Sequence, residues 1–102
     1  MNIALCGIHG AMGKILKEEI EKSQENKLVG YFSPRNDIKG QDISDKIDVI
    51  IDFSRPENID FLLGYALKNN VALVICTTGY TDEQIEKIKK EIDNSNIDVI
   101  LN

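Results

Sequence analysis

One histidine, His9, and two cysteines, Cys6 and Cys76, leave this 102-residue sequence little with which to build a metal centre. The cysteines form neither a C-x-x-C pair nor a zinc-like pattern. Each ends an apolar run, which reads as a small buried thiol in a reducing compartment. Cations are also scarce: twelve Lys and Arg stand against seventeen Asp and Glu, a formal charge of −5. That balance repels phosphate polymers and argues against a nucleic-acid partner, and no basic cluster is longer than Lys89-Lys90. A single anion site needs only one or two cations, so local anion binding stays open. No apolar stretch approaches the ~20 residues that cross a membrane. The run after Met1 is short and broken by Gly7, so neither a leader nor a membrane partner is expected, and the chain is expected in the cytoplasm. Repeats, low-complexity tracts and linkers are missing as well.

What remains is an ordinary globular composition, 42% hydrophobic and 28% charged, sized for one domain over residues 1–102. The chain is organised around Cys6-Gly7-Ile8-His9-Gly10-Ala11-Met12-Gly13-Lys14. An apolar run, Ile3 to Cys6, precedes it and reads as a buried strand. After it, Met12, Ile15, Leu16 and Ile20 fall on one helical face, with Lys17, Glu18, Glu19 and Lys22 largely on the other. Gly7, Gly10 and Gly13, spaced G-x-x-G-x-x-G, therefore sit where a strand turns into a helix. There backbone N–H groups can meet a pyrophosphate, helped by the helix N-terminus and by missing Cβ atoms. The spacing departs from the familiar G-x-G-x-x-G, since His9 and Gly10 occupy the place of Gly-x. A tight, ligand-free strand–helix connection would use the same glycines, Gly13 for close packing.

In order, the pattern predicts a strand over Asn2 to Cys6, a helix over Ala11 to Gln24 and a strand over Lys27 to Phe32 that Pro34 stops. Pro34 to Lys46 is weakly patterned, with at best a helical turn over Asp42 to Lys46. Asp48 to Phe53 has the continuous apolar centre of a buried parallel strand. Pro56 suits a first helical turn, and Ile59, Leu62, Leu63, Ala66 and Leu67 form the inward stripe of a second long helix closed by Asn69-Asn70. Val71 to Ile75 is a fourth strand. Thr81 to Gln84 has capping-box spacing and opens a third helix with Ile85, Ile88 and Ile92 inward; Ile97 to Leu101 is a fifth strand. The order implies a doubly wound, Rossmann-like α/β domain with a parallel sheet of about five strands. Small and polar residues follow strands one, three and four: Gly7 to Gly13, Ser54-Arg55 and Thr77-Thr78-Gly79. The opposite turns are plain polar loops. That asymmetry marks one sheet edge as the ligand edge.

With these pieces in place, the chain resembles the nucleotide-binding half of the 4-hydroxy-tetrahydrodipicolinate (dihydrodipicolinate) reductases, bacterial enzymes of lysine and diaminopimelate synthesis. The residues that carry the resemblance are Cys6 to Lys14, Asp48 to Pro56 and Cys76 to Tyr80, in matching order over essentially the whole chain. The resemblance implies NADH or NADPH as cofactor and a hydride passed to a cyclic, imine-like dicarboxylate. It places Gly7, Ile8, His9, Gly10, Ala11 and Met12 at the pyrophosphate. Phe53, Ser54, Cys76, Thr77 and Thr78 would border the nicotinamide and its ribose, with Gly79 keeping the backbone close to the ring.

Three departures from the family pattern shape the expectations. Ala11 stands where an arginine is common. Ser33-Pro34 replaces the acidic residue expected to take the adenosine ribose hydroxyls, and Arg35 follows at once. A guanidinium suits a 2′-phosphate that a carboxylate would repel, so NADPH is expected to serve at least as well as NADH. Arg35 as a plain solvated cation, and Asp37 as the missing carboxylate, are the competing readings. Finally, the family's substrate half, with its paired histidines, lysine and Ser-Gly-Thr loop, would begin just beyond Leu101-Asn102. Homo-oligomerisation is expected through that portion, and a family segment that packs back on this domain would leave an apolar patch here. His9 is either an exposed loop residue or a donor to phosphate or ribose. No residue is assigned as catalytic. A nucleotide-sensing module and the cofactor half of another amino-acid-pathway reductase are the alternatives.

Overall fold

The computed structural model describes residues 1–101; Asn102, the last residue of the expected domain, lies outside the described residues. Five strands, β1 (Asn2–Cys6), β2 (Lys27–Phe32), β3 (Val49–Asp52), β4 (Ala72–Ile75) and β5 (Val99–Leu101), form one sheet in the order β2-β1-β3-β4-β5. All neighbouring pairs are parallel. Helices α1 (Ala11–Lys22), α2 (Ile59–Asn69) and α3 (Asp82–Asp93) make the crossovers from β1, β3 and β4, and none lies between β2 and β3. The chain winds outward from β1 to β2 and then returns past β1 to β3, which is the doubly wound arrangement. No helix among the described residues is long and apolar enough to cross a membrane.

Alternation along the strands divides the core. Ala4, Cys6, Ile50, Leu73 and Ile75 meet Ile59, Leu62, Leu63 and Ala66 of α2 and Ile88 of α3. Ile3, Leu5, Val49 and Ile51 face the other way, where α1 contributes Leu16 and Ile20. The expected inward face of α1 needs correction. Leu16 and Ile20 are inside, but Met12 is 50% and Ile15 53% exposed. The buried stripe runs Gly13–Leu16–Ile20, because the helix lies so close to the preceding turn that a Cβ on Gly13 would stand 2.1 Å from the Gly7 carbonyl oxygen. On the same sheet face, register carries the row Ile51–Val74 out to Ile100, which is 59% exposed. An apolar edge is thus open there.

Asp42 to Lys46 forms no helical turn. The segment after β2 instead makes a 3₁₀ turn at Pro34–Asn36, closed by paired Ser33–Ile38 backbone hydrogen bonds of 2.8 and 3.0 Å. Phe32 and Tyr65 close over Gly40, and Ile43 packs against Gly30. β1 and β2 have the expected bounds, β3, β4 and β5 are shorter than the pattern suggests, and α1 ends at Lys22. α3 opens with the expected box: Thr81 Oγ1 accepts from Gln84 N–H at 3.2 Å, and Gln84 Oε1 accepts from Thr81 N–H at 2.8 Å.

Candidate functional site

Where the winding reverses, the carboxyl ends of β1 and β3 diverge and a crevice opens, as elementary topology requires. Its volume is about 410 Å³, and its walls come from the turn after β1, the turn after β2 and the turn after β3. Gly7 takes φ +100°, a left-handed conformation, and a Cβ there would stand 2.8 Å from the Phe53 carbonyl carbon. Only glycine meets both demands. Gly10 differs. Its φ and ψ, −81° and 167°, suit any L-residue, and an added Cβ would make ordinary 3.5 Å contact. Gly10 N–H donates to the Gly7 carbonyl at 3.1 Å, and Gly10 caps α1 without any side-chain hydrogen bond. No side chain caps the first N–H groups of this twelve-residue helix, and the N-cap beside them is a bare Cα. That cradle suits a phosphate.

The β3 side is organised by a buried carboxylate. Asp52 is fully buried at the strand end; its Oδ1 accepts from Ser54 N–H at 2.8 Å and from the Ser54 hydroxyl. Asn58 Nδ2 donates to Ser54 Oγ at 2.9 Å, which fixes the turn that carries Phe53, Ser54 and Arg55. The Asp52 carbonyl accepts from Cys76 N–H at 2.9 Å and from the Thr77 hydroxyl at 3.4 Å, tying the β4 exit to the same point. Burial pushes the Cys6 thiol up to about 11, with the nearby Asp52 carboxylate acting in the same direction against the Ser54 hydroxyl. Burial likewise raises the Tyr80 phenol to about 12, again with help from Asp52. Neither group is a nucleophile or a base near neutrality.

The crevice gathers Gly7, Ile8, His9, Gly10, Ser33, Arg35, Phe53 and Ser54 from the sequence-based set. Ala11 and Met12 lie exposed on the first turn of α1, and Gly13 is packed beneath it. Cys76, Thr77, Thr78 and Gly79 do not line this cavity. Thr77 is buried, Cys76 is half-buried rather than enclosed, and Gly79 lies beside Pro56. His9 is exposed and meets Tyr31 edge-on, ring centroids 6.4 Å apart. Arg35 borders the crevice, whereas Asp37 is outside it and pairs with Lys39 at 3.6 Å. Arg55, expected at the ligand edge, also lines the wall, as do Asn36 and Asn58, which were not singled out from the sequence. Nor was Asp52, whose signal was a lone carboxylate in an otherwise apolar strand.

Comparison with known proteins bears on the same assembly. The family model described as "Dihydrodipicolinate reductase, N-terminus" matches residues 1–102. The chain is 40% identical over 91 residues to the 4-hydroxy-tetrahydrodipicolinate reductase of Rickettsia rickettsii (strain Sheila Smith), covering 88% of this chain and 38% of the relative. It is 35% identical over 94 residues to that of Clostridium novyi (strain NT), covering 84% of this chain and 37% of the relative. The chain therefore spans well under half the length of these relatives. A solved dipicolinate-bound dihydrodipicolinate reductase from Paenisporosarcina sp. TG-14 shares the fold, with TM-score 0.76 and 22% identity over 99% of this chain and 46% of that one. The chain belongs to the family of dihydrodipicolinate reductase N-terminal domains.

Proposed function

We propose that the crevice holds a nicotinamide dinucleotide and that the chain is the cofactor half of a 4-hydroxy-tetrahydrodipicolinate reductase. The observation that carries this reading is the uncapped α1 N-terminus beside Gly10, at the point where the winding reverses. The diphosphate would lie over Gly7 to Gly10, where backbone N–H groups and the helix dipole oppose its charge. Arg35 borders the far wall and suits the adenosine end, where its guanidinium favours the 2′-phosphate of NADPH. The turn of Phe53 and Ser54, with Cys76 to Gly79 beside it, would border the nicotinamide and its ribose. When bound, the nicotinamide supplies the hydride. This chain's residues bind the cofactor and orient it. The acid that protonates a cyclic dicarboxylate substrate, and the groups that clamp it, would belong to a portion beyond this chain, as would contacts between subunits.

Titration of the chain with NADH and with NADPH, followed by cofactor fluorescence, tests the reading. Saturable binding of both, NADPH at least as tightly, is the expected result. A folded chain that binds neither would refute it.

A further inference from the structure

Asp52 sits where the exits of β1, β3 and β4 are tied together. Through its carbonyl it holds Cys76 and Thr77; through Oδ1 it holds Ser54; and the next peptide, Phe53 N–H, donates to the Cys6 carbonyl at 2.9 Å. One oxygen is left over. Among the described residues Oδ2 is buried without a hydrogen-bond partner, and so is the hydroxyl of Tyr80, which ends the Cys76–Tyr80 segment. The Cys6 thiol and the Thr77 hydroxyl lie near these atoms, yet neither bonds to them with good geometry. A carboxylate oxygen accepts and a phenol donates, and burying both unpaired is an arrangement that folded proteins rarely keep. The two segments they belong to already meet, since a Cβ on Gly79 would stand 3.7 Å from Pro56 Cγ.

We propose that Asp52 is a positioning residue of the crevice and that the Tyr80 hydroxyl is linked by hydrogen bonding to its free Oδ2. One buried carboxylate then sets the turn of Phe53 to Asn58 and the segment of Cys76 to Tyr80 together. The effect on affinity rests on the cofactor reading above; the link itself is a property of the free chain.

Amide exchange followed by NMR in the free chain, with NADH titration alongside, tests both parts. Tyr80→Phe should speed exchange at Cys76 about tenfold, the lower end of the scale for one lost hydrogen bond to a charged group, leave Ser54 unchanged, and weaken NADH binding several-fold. Asp52→Leu should speed exchange at Ser54 and Cys76 alike. Asp52→Asn keeps an acceptor for Ser54 and should restore slow exchange there. If Asp52→Leu does not fold, the other two variants decide. Wild-type exchange at Cys76 in Tyr80→Phe overturns the link. Fast exchange at Ser54 in Asp52→Asn, or faster exchange at Cys76 with unchanged NADH affinity, overturns the positioning role. A wild-type chain that does not bind NADH overturns the cofactor reading instead, and the exchange data still judge the link.

Discussion

The three glycines of the first turn should respond to substitution in different ways, and Gly10 isolates ligand approach from folding. At Gly10 the backbone is extended, and an added Cβ makes only a 3.5 Å contact with the Gly7 carbonyl oxygen. Gly10→Val replaces a good N-cap with a poor one, a cost of up to about 1 kcal/mol, partly offset by the smaller entropy of the unfolded chain. The variant should therefore fold, with stability within about 1 kcal/mol of wild type. Its isopropyl group would stand between the diphosphate and the first N–H groups of α1. Losing one charge-assisted hydrogen bond costs about 1.5–3 kcal/mol, so affinity for NADH should fall roughly 10- to 100-fold. Gly13→Ala is the contrasting case. Its Cβ would overlap the Gly7 carbonyl oxygen at 2.1 Å, so α1 must shift and stability should fall by at least about 1–3 kcal/mol. Denaturant unfolding measures the first quantity and cofactor fluorescence the second. A folded Gly10→Val chain with wild-type NADH affinity would refute the phosphate cradle.

Arg35→Ala should lower NADPH affinity by about 1–3 kcal/mol and leave NADH nearly unchanged, as read by calorimetric titration; equal losses for both would remove Arg35 from the 2′-phosphate. Alkaline stability should follow the two buried acids. Cys6 rises from 9.0 to about 11 and Tyr80 from 10.0 to about 12, so each holds its proton more tightly folded than unfolded. The stability they contribute is complete below pH 9 and is lost as pH rises to about 12, roughly 2–3 kcal/mol of it from Cys6 at ~1.4 kcal/mol per unit. Denaturant midpoints against pH should therefore fall less steeply between pH 9 and 11 in Cys6→Ala, and curves parallel to wild type would contradict the assignment. Thr81→Ala removes the acceptor of the α3 capping box and should cost about 1 kcal/mol in thermal unfolding, without altering cofactor binding.

How much of this was legible in the sequence depended on where each contact originates. The strands, α2 and α3 were readable because their burial follows apolar periodicity: Ile50, Leu62, Leu73 and Ile88 are where the pattern places them. The turn after β1 was readable because a backbone that must take φ +100° and lie against Phe53 admits only glycine. Hydrophobic periodicity fails at α1 for the same reason. Gly13 has no side chain to score, yet its face of the helix lies against the Gly7 turn, which leaves Met12 and Ile15 outward. Pro34 to Lys46 gave no signal because long-range contacts hold it, Ile43 against Gly30 and Gly40 under Phe32.

Asp52 shows the boundary most clearly. As a residue type it contradicts its strand, and a buried carboxylate is costly unless partners surround it. Ser54 donates to the carboxylate, and Cys76 and Thr77 donate to the carbonyl of the same residue, from segments that only the sheet order brings together. A charged residue closing an apolar run is thus a readable warning that several loops converge there. Which loops they are follows from the winding and cannot be found in the run itself.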